Sequence, residues 1–431
     1  MRGFSSVLVL ACRSDPGSPS VLEESAATPE ARPPGVTVRE GTLKLGPRRC
    51  AEDVPVPGAG YDDPSGDLAD AHTESYGPDP APTAVHLGWT GDPASTMTLL
   101  WWTDADTLAS RVELRPGAFA SQSIDGVSFL LANEPANGRV HEVRVCGLEP
   151  GTRYEYRVGG DEAWSDTYAF TTGPPPGEPL RFVVAGDSRG SPETLTQVLA
   201  EAVARGAELL LYTGDAVASG TNVEEWRAWY EAGAGVFETM PIVSVHGNHE
   251  ALAQPYFALA ALPGNEQWFG LDYGDAHFAV VNDTPVDDDT LAAQAAWLAE
   301  DLAATNRRWR FHAHHKPAWS SSTVHPEDLD VRETFGTILE AGGVAIDFAG
   351  HNHHYERTHP LVGGLHAPDG VTYVVTAGAG APLYDNDGRN PYTAAFAVTD
   401  NYTMVHVDGD VATIIAYDLA GNVLDTWTIQ R

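Results

Sequence analysis

The sequence predicts an all-β sandwich followed by a layered α/β domain with central β-sheets flanked by helices. Three observations carry this prediction. Short runs of alternating hydrophobicity, separated by turns, occupy residues 83–173 and are typical of antiparallel strands. A stiff proline-rich linker follows at 174–179. From residue 180 to 431, apolar strand-like runs alternate with amphipathic helices.

The composition is that of a folded and strongly acidic protein. Its 431 residues give room for two or three domains, and 60 acidic against 25 basic residues give a net charge of -35. We expect no nucleic-acid partner, because such a surface repels a polyanion. A phosphorylated substrate would be repelled as well unless local positive charge outweighs the surface, and this implies cations in the site.

The first twelve residues, 1–12, have the order of a bacterial lipoprotein signal. An early Arg2 and a short apolar run precede a small residue and Cys12, although the run is shorter than in an ordinary signal peptide. We expect export to the periplasm, the cell surface or the medium, with membrane attachment through lipidated Cys12. In an oxidising compartment Cys50 and Cys146 could pair, although the tail and a strand need not bring them together.

Two segments of different character follow the signal. Residues 13–82 are rich in Pro, Gly, Ser, Asp and Glu and predict a flexible tether. The sandwich comes next, and Leu148–Val158 within it resembles the end of a fibronectin type III domain, in which a tyrosine ties a loop to the next strand. The strand-like runs of the sandwich are Val85–Trp89, Met97–Trp102, Ser110–Leu114, His141–Val145, Tyr154–Val158 and Thr167–Thr171.

The α/β domain begins with an apolar strand-like run and a well-marked helix. Ser191 can cap this helix and Gly206 can end it. The apolar positions that share one face are Leu195, Val198, Leu199 and Ala202.

Five strand-like runs of this domain each end in a polar cluster. Because the carboxyl ends of strands gather in one crevice of an open α/β sheet, clusters far apart in the sequence can form a single site. Glycine before several of the polar residues lets the chain turn sharply and approach a ligand closely. The clusters are Gly186–Arg189, Gly214–Asp215, Gly247–Glu250, His315–Pro317 and Gly350–His353.

The side chains in these clusters are of types that suit a pair of metal ions. Carboxylate, amide oxygen and imidazole together bind Fe, Mn or Zn, whereas thiolate sites need cysteines, which residues 180–431 lack. One carboxylate can bridge two ions about 3.5–4 Å apart, and such a pair holds both the attacking and the leaving oxygen of a displacement. We therefore expect two divalent or trivalent metal ions, Fe, Zn or Mn.

The order of the clusters resembles the five blocks of the calcineurin-like metallophosphoesterases. The run Gly350–Arg357 is closer to the purple acid phosphatases, and Val158–Thr172 looks like the end of that family's N-terminal fibronectin-like domain. The resemblance covers about Ala84 to Arg431. It implies an α/β metallophosphoesterase domain preceded by a fibronectin type III-like sandwich.

The resemblance also implies which residues bind the ions. Asp215 would bridge the pair. The ligands so implied are Asp187, Asp215 and His353 for the first ion, and Asp215, Asn248, His315 and His351 for the second.

Three further residues are expected to act on the substrate. His249 and His325 would contact the phosphate or protonate the leaving group, and His325 stands ten residues after His315 as in the family. Arg189 could grip a phosphate oxygen, or it could be an ordinary surface residue at the start of a helix.

The sequence departs from the family at two places. Ala218 stands where the family has the tyrosine that binds the ferric ion and gives the purple colour. We therefore expect no such colour and a looser first site, completed by water or by another residue such as Asn222. Near His315, His312 stands where the family has valine. His312 and His314 could therefore compete with His315 as ligands.

The implied activity is acid phosphatase-like, dinuclear-metal-dependent hydrolysis of phosphate monoesters by a metal-bound hydroxide, with a phosphorylated small molecule as substrate. A phosphodiesterase or nucleotide pyrophosphatase with the same metal pair is the alternative, because specificity lies in loops. A binding or adhesion protein with a decayed catalytic domain is a third reading, against which the retained Asp, Asn and His ligands argue.

Overall fold

The structure, a computed structural model, describes residues 74–116, 121–284, 286–384 and 390–431. The predicted signal and the predicted tether as far as residue 73 lie outside the described residues. Cys50 lies outside them too, whereas Cys146 is disulfide-bonded. No helix within the described ranges is long and apolar enough to cross a membrane.

The first domain is a sandwich of two antiparallel sheets. The strands of the first sheet, in spatial order, are β1 (Thr83–Gly88), β2 (Thr96–Thr103), β6 (Arg139–Cys146) and β5 (Val127–Leu130). Those of the second are β4 (Gln122–Asp125), β3 (Arg111–Pro116), β7 (Arg153–Gly160) and β8 (Ala163–Trp164), with β9 (Tyr168–Thr171) paired to β7. Two short 3₁₀ turns, Leu131–Asn133 and Pro135–Asn137, lead into β6.

Local hydrogen bonds tie the edges of this sandwich. The Tyr154 hydroxyl accepts a hydrogen bond from the Glu149 amide at 2.9 Å, which is the loop-to-strand tie expected from the fibronectin resemblance. The residues just before β1 are also bound, because the Leu108 amide donates to the Ser75 carbonyl at 2.8 Å. The described end of the predicted tether therefore packs on the sandwich.

The second domain has two mixed sheets. The first sheet runs in the order β12 (Ile242–Ser244), β11 (Leu209–Tyr212), β10 (Leu180–Ala185), β22 (Asn401–Asp408), β23 (Val411–Asp418) and β24 (Val423–Gln430). The second runs β13 (Phe269–Tyr273), β14 (Ala276–Val280), β15 (Trp309–Ala313), β16 (Ile346–Ala349), β20 (Thr372–Thr376), β17 (Tyr355–Thr358) and β21 (Thr393–Ala397). A small hairpin pairs β18 (Leu361–Val362) with β19 (Leu365–His366).

The core of this domain lies between the two sheets. The ring of Phe182, on β10, packs edge-on against three phenylalanines of the second sheet, with ring centroids 5.0 to 6.2 Å away. The helices of this domain are α1 (Pro192–Ala204), α2 (Val223–Ala232), α3 (Gln254–Leu259), α4 (Asp288–Ala304) and α5 (Leu329–Ala341). Helix α1 contacts β22 and α4 contacts β14, whereas α3 contacts the first 3₁₀ turn of the sandwich. A sandwich followed by layered α/β structure is the fold class that the sequence predicts, and it is confirmed.

Helix α1 shows how closely local patterning fixes an element. Its buried residues are Leu195, Val198, Leu199 and Ala202, the face predicted from helical spacing. Ser191 is the residue before the helix, but its hydroxyl bonds to the Thr194 hydroxyl at 2.9 Å instead of capping a backbone amide.

The sheet topology sets the position of the polar clusters. Strands β10, β11 and β12 run parallel to one another, and so do β14, β15, β16 and β20. Their carboxyl ends therefore lie at one edge of each sheet, and five loops carrying the polar clusters leave from these ends.

Candidate metal centre

The predicted site residues form one connected cluster at this edge. Nε2 of His353 lies 3.4 Å from Oδ1 of Asp187, and Nε2 of His315 lies 3.3 Å from Oδ1 of Asp215. Nε2 of His315 is also 3.1 Å from Oδ1 of Asn248. Five loops from two sheets thus bring six potential ligands to one place.

His351 joins the cluster from the loop after β16. Its ring centroid lies 5.1 Å from that of His315. Ligand atoms of Asp215, His315 and His351 all lie within 4.8 Å of one another, a spacing at which one ion could bind all three.

The backbone at three of the predicted ligands is in the left-handed region, which L-residues seldom adopt. The φ angles are 60° at Asp187, 57° at Asp215 and 66° at His351. Each such residue costs about 1–3 kcal/mol and persists only where the surroundings hold it. Strain at three facing ligands is typical of a functional site.

Two buried histidines, His315 and His353, direct Nε2 toward the centre of the cluster. Nδ1 of His315 donates to the Thr213 carbonyl at 2.8 Å, and Nδ1 of His353 donates to the Pro382 carbonyl at 2.6 Å. These bonds fix the ring orientation and direct Nε2 toward the other predicted ligands, as in protein metal sites.

The charges and unpaired atoms also fit a cation. Oδ2 of Asp215 is buried and accepts no hydrogen bond from any described residue. Burial alone would raise the pKa of Asp215, but the neighbouring His315 holds it well below its usual value. Burial works against protonated His315, yet Asp215 raises its pKa to about 10, so an ion binding at Nε2 must release a proton.

Glu250 holds two ligand loops together. Its carboxylate accepts hydrogen bonds from the amides of Asp215 at 3.0 Å, Ala216 at 2.7 Å and Gly247 at 2.7 Å. Burial, and then the charge of Asp215, raise the pKa of Glu250 to about 7. Its three amide contacts fix the turn that carries Asp215 next to the one that carries Asn248.

The comparisons with known proteins agree with this geometry. Residues 82–172 match the purple acid phosphatase N-terminal domain, and residues 180–355 match the calcineurin-like phosphoesterase family. The chain is a purple acid phosphatase-like member of the calcineurin-like phosphoesterases.

Proteins similar to this chain occur in plants and animals. Purple acid phosphatase 21 of Arabidopsis thaliana is 26% identical over 321 residues, which cover 69% of this chain and 71% of the relative. Acid phosphatase type 7 of Mus musculus is 26% identical over 417 residues, which cover 82% and 92%. A purple acid phosphatase from yellow lupin (Lupinus luteus) seeds has a similar fold, with a TM-score of 0.73 at 19% identity over 82% of this chain and 75% of that one.

The structure brings His249 and His325 to the rim of the metal centre. Nε2 of His249 lies 3.8 Å from Oδ2 of Asp215, while its Nδ1 donates to the Ala218 carbonyl at 2.7 Å. The ring of His325 lies 4.6 Å from that of His351. Both imidazoles are partly exposed and lie beside ligands.

Arg189 lies between Asp215 and His353. Its Nε is 3.4 Å from Oδ2 of Asp215, and its Nη2 is 3.3 Å from Nε2 of His353. The guanidinium therefore contributes positive charge among the carboxylates and is not an ordinary surface residue.

Three alternative ligands considered from the sequence have other partners. His312 and His314 bond to Asp347 at 2.6 and 3.0 Å, and Nδ1 of His314 bonds to Asp283 at 2.8 Å, in a separate buried cluster. Asn222 caps α2, where its Oδ1 accepts from the Glu224 amide at 3.2 Å. Among the three neighbouring histidines, only His315 faces Asp215 and Asn248.

One residue at the centre was not predicted from the sequence. Tyr384, on the loop after β20, stacks on His353 with ring centroids 4.3 Å apart and an interplanar angle of 15°. It follows an apolar strand, as the five clusters do, but a lone tyrosine beyond a glycine-rich loop matches no block of the family.

Proposed function

We propose that this chain hydrolyses phosphate monoesters with two metal ions held by the six residues named above. Asp187, Asp215 and His353 would hold the first ion. The second would be held by Asp215, Asn248, His315 and His351. The convergence of five strand-end loops on the Asp215 carboxylate carries the proposal.

The position of Asp215 supports its role as the bridge. Its Oδ1 faces His315, at 3.3 Å, on one side. Its Oδ2 accepts no hydrogen bond from a described residue and lies 3.4 Å from Nε of Arg189. Nη2 of the same guanidinium lies 3.3 Å from Nε2 of His353, so Oδ2 is on the side of the centre where we propose that the first ion binds.

The remaining residues divide the work on the substrate. When bound, the ions would lower the pKa of coordinated water toward about 7 and neutralise charge on the phosphoryl oxygens. Arg189 would bind a phosphate oxygen, since a guanidinium matches its geometry. His249 or His325 would donate a proton to the leaving oxygen.

The test is the Asp215→Asn variant, assayed on para-nitrophenyl phosphate and its bis ester after loading with Fe, Mn or Zn. We expect loss of ion binding and at least about a 100-fold loss of hydrolysis, because both ions share this carboxylate. Asp289→Asn, on the exposed first turn of α4, is the matched control. Full ion content with undiminished phosphatase activity in Asp215→Asn would refute the assignment of Asp215. If the unsubstituted chain hydrolyses the bis ester faster than the monoester, the phosphodiesterase alternative is favoured.

Export with lipidation at Cys12 belongs to the same proposal. The Arg2-to-Cys12 order supports it, and so does the disulfide at Cys146, because disulfides persist in oxidising compartments. Mass spectrometry of the mature protein from its native cells would show an acylated N-terminal Cys12. An unprocessed Met1 would contradict the proposal.

A further inference from the structure

The hydroxyl of Tyr384 faces the proposed first ion position. It lies 3.4 Å from Nε2 of His353, the nitrogen that faces Asp187. The tyrosine ring is parallel to that imidazole, and its edge meets the His325 ring at a centroid distance of 5.2 Å. The phenol is therefore directed inward, among the predicted ligands.

The spacing of these atoms is that of ligands around one ion. A good hydrogen bond from the hydroxyl to Nε2 would be about 2.7–3.2 Å long, shorter than the observed 3.4 Å. Two atoms that each lie about 2.0–2.2 Å from the same ion are separated by roughly 3–3.5 Å at common coordination angles. Nε2 of His353 stands at this separation from both Oδ1 of Asp187 and the Tyr384 hydroxyl, at 3.4 Å each.

The loop that carries Tyr384 is fixed to the ligand loops themselves. The Ala379 amide donates to the Gly186 carbonyl at 3.0 Å, and the Ala381 amide donates to the Asp187 carbonyl at 2.7 Å. The Pro382 carbonyl accepts from Nδ1 of His353 at 2.6 Å. Tyr384 is thus held two residues beyond a direct contact with a predicted ligand.

Within the part of the chain that the structure describes, we otherwise propose three protein ligands for the first ion. Ala218 replaces the tyrosine of the family, and its carbonyl is bonded to His249. Asn222, the other residue considered for this place, caps α2.

We propose that Tyr384 is the fourth protein ligand of the first ion, a tyrosinate supplied from a different loop than in the family. The inference rests on the proposed function, because it needs the first ion to be bound. On binding, the phenol O–H bond breaks, the proton passes to solvent and the oxygen bonds to the ion. The Arg189 guanidinium, which now contacts Asp215, His353 and the Tyr384 hydroxyl, would have to move outward, because two cations cannot share the position.

The test is a Zn²⁺ titration of the full chain at neutral pH, followed by near-ultraviolet difference absorption. Tyrosine ionisation has its own difference spectrum, so we expect a tyrosinate signal as the ions bind. Tyr384→Phe should abolish the signal and weaken the binding of one ion by about 10- to 100-fold. The control variant Tyr168→Phe, in the N-terminal sandwich, should keep the tyrosinate signal and the ion affinity. Loading with Fe³⁺ should give a visible tyrosinate-to-iron absorption band that Tyr384→Phe lacks, contrary to the expectation of no colour drawn from Ala218.

Two ions bound without a tyrosinate signal, or a signal that persists in Tyr384→Phe, would overturn the inference. Binding of a single ion without the signal would also overturn it, and would mean that Arg189 keeps the first position. Ester hydrolysis measured on the same samples separates the two proposals. A signal without hydrolysis would contradict only the proposed function, and hydrolysis without a signal would contradict only the role of Tyr384.

Discussion

Single residues at the metal centre pack so closely that some positions have no room for a side chain. Gly247 and Gly350 precede Asn248 and His351, and an added Cβ at either would overlap a neighbouring loop. At Gly247 the Cβ would lie 2.3 Å from the Asp215 amide nitrogen. The glycines that the sequence places before ligands therefore serve loop-to-loop contact as much as turning of the chain.

Gly350→Ala should disable the centre while leaving the fold in place. Its Cβ would lie 2.5 Å from Oδ2 of Asp187 and 2.6 Å from the Thr213 carbonyl, so the Asp187 carboxylate must shift. A displacement of about 1 Å in a catalytic site can cost about 100-fold in rate. We expect a loss of that order in phosphoester hydrolysis and weaker ion binding, with an unchanged far-ultraviolet circular dichroism spectrum.

Gly336→Ala is the matched control for this substitution. Gly336 lies within α5, and its added Cβ would meet nothing within 4 Å. Alanine in a helix interior is favoured over glycine by about 0.5–1 kcal/mol, so this variant should be slightly more stable and fully active. Wild-type hydrolysis in Gly350→Ala would show that the ligand loops tolerate the shift.

At the scale of elements, one histidine joins a hairpin to a helix away from the metal centre. His277, on β14, bonds through Nδ1 to Asp272 of β13 and through Nε2 to Asp301 of α4, both at 2.7 Å. Burial alone would lower the pKa of His277, but the two carboxylates raise it to about 9. The folded state therefore binds the protonated imidazole more tightly than the unfolded chain does.

His277→Gln should destabilise the protein in a pH-dependent way. The pKa of an unfolded histidine is about 6.5, so the stabilisation is fully present below that pH and is lost as pH rises through about 9. Allowing for the partly exposed Asp272, we expect a loss of about 2 kcal/mol in the free energy of unfolding at pH 6. Urea unfolding at pH 6 and at pH 10 measures the free energy of unfolding of the variant and of the unsubstituted chain. The difference between the two proteins should be smaller at pH 10.

His366→Gln, on the exposed β19, should change stability little at either pH and is the control. An equal loss for His277→Gln at both pH values would show that packing of the ring, and not its charge, links the hairpin to α4.

The fold and most of the centre could be predicted because they depend on local patterns. Helix α1 follows from helical spacing, and the five clusters follow from apolar runs that end in polar residues. Tyr384 could not be predicted, because its place depends on hydrogen bonds from an irregular loop to Gly186, Asp187 and His353. The family resemblance already favours His315 over His312 and His314, and the structure supplies the physical reason. The two rejected histidines lie on one face of β15 and its extension, where alternation directs both toward Asp347.

At the scale of the whole molecule, the sandwich and the α/β domain share one hydrophobic core. One cluster contains buried apolar residues of both domains, while a second and smaller cluster lies within the α/β domain, between the second sheet and helices α4 and α5. The Tyr156 hydroxyl donates to the Glu238 carbonyl across the boundary at 2.7 Å, and Nε2 of His86 bonds to the Leu259 carbonyl at 2.8 Å. Contacts of this kind couple the two domains energetically.

The two domains should therefore unfold together in a single calorimetric transition.

Trp102, on β2, is buried against Tyr230 of α2 with ring centroids 5.8 Å apart, and the Arg227 guanidinium lies 4.9 Å from its ring. Trp102→Ala should cost about 3–5 kcal/mol, because it leaves a cavity at the boundary. This cost should lower the midpoint of the one transition, whereas Trp164→Ala, at a half-exposed position on β8, should lower it less. Two separate transitions in the unsubstituted chain would mean that the shared core does not couple the domains. A second transition that appears only in Trp102→Ala would instead place most of the coupling at this contact.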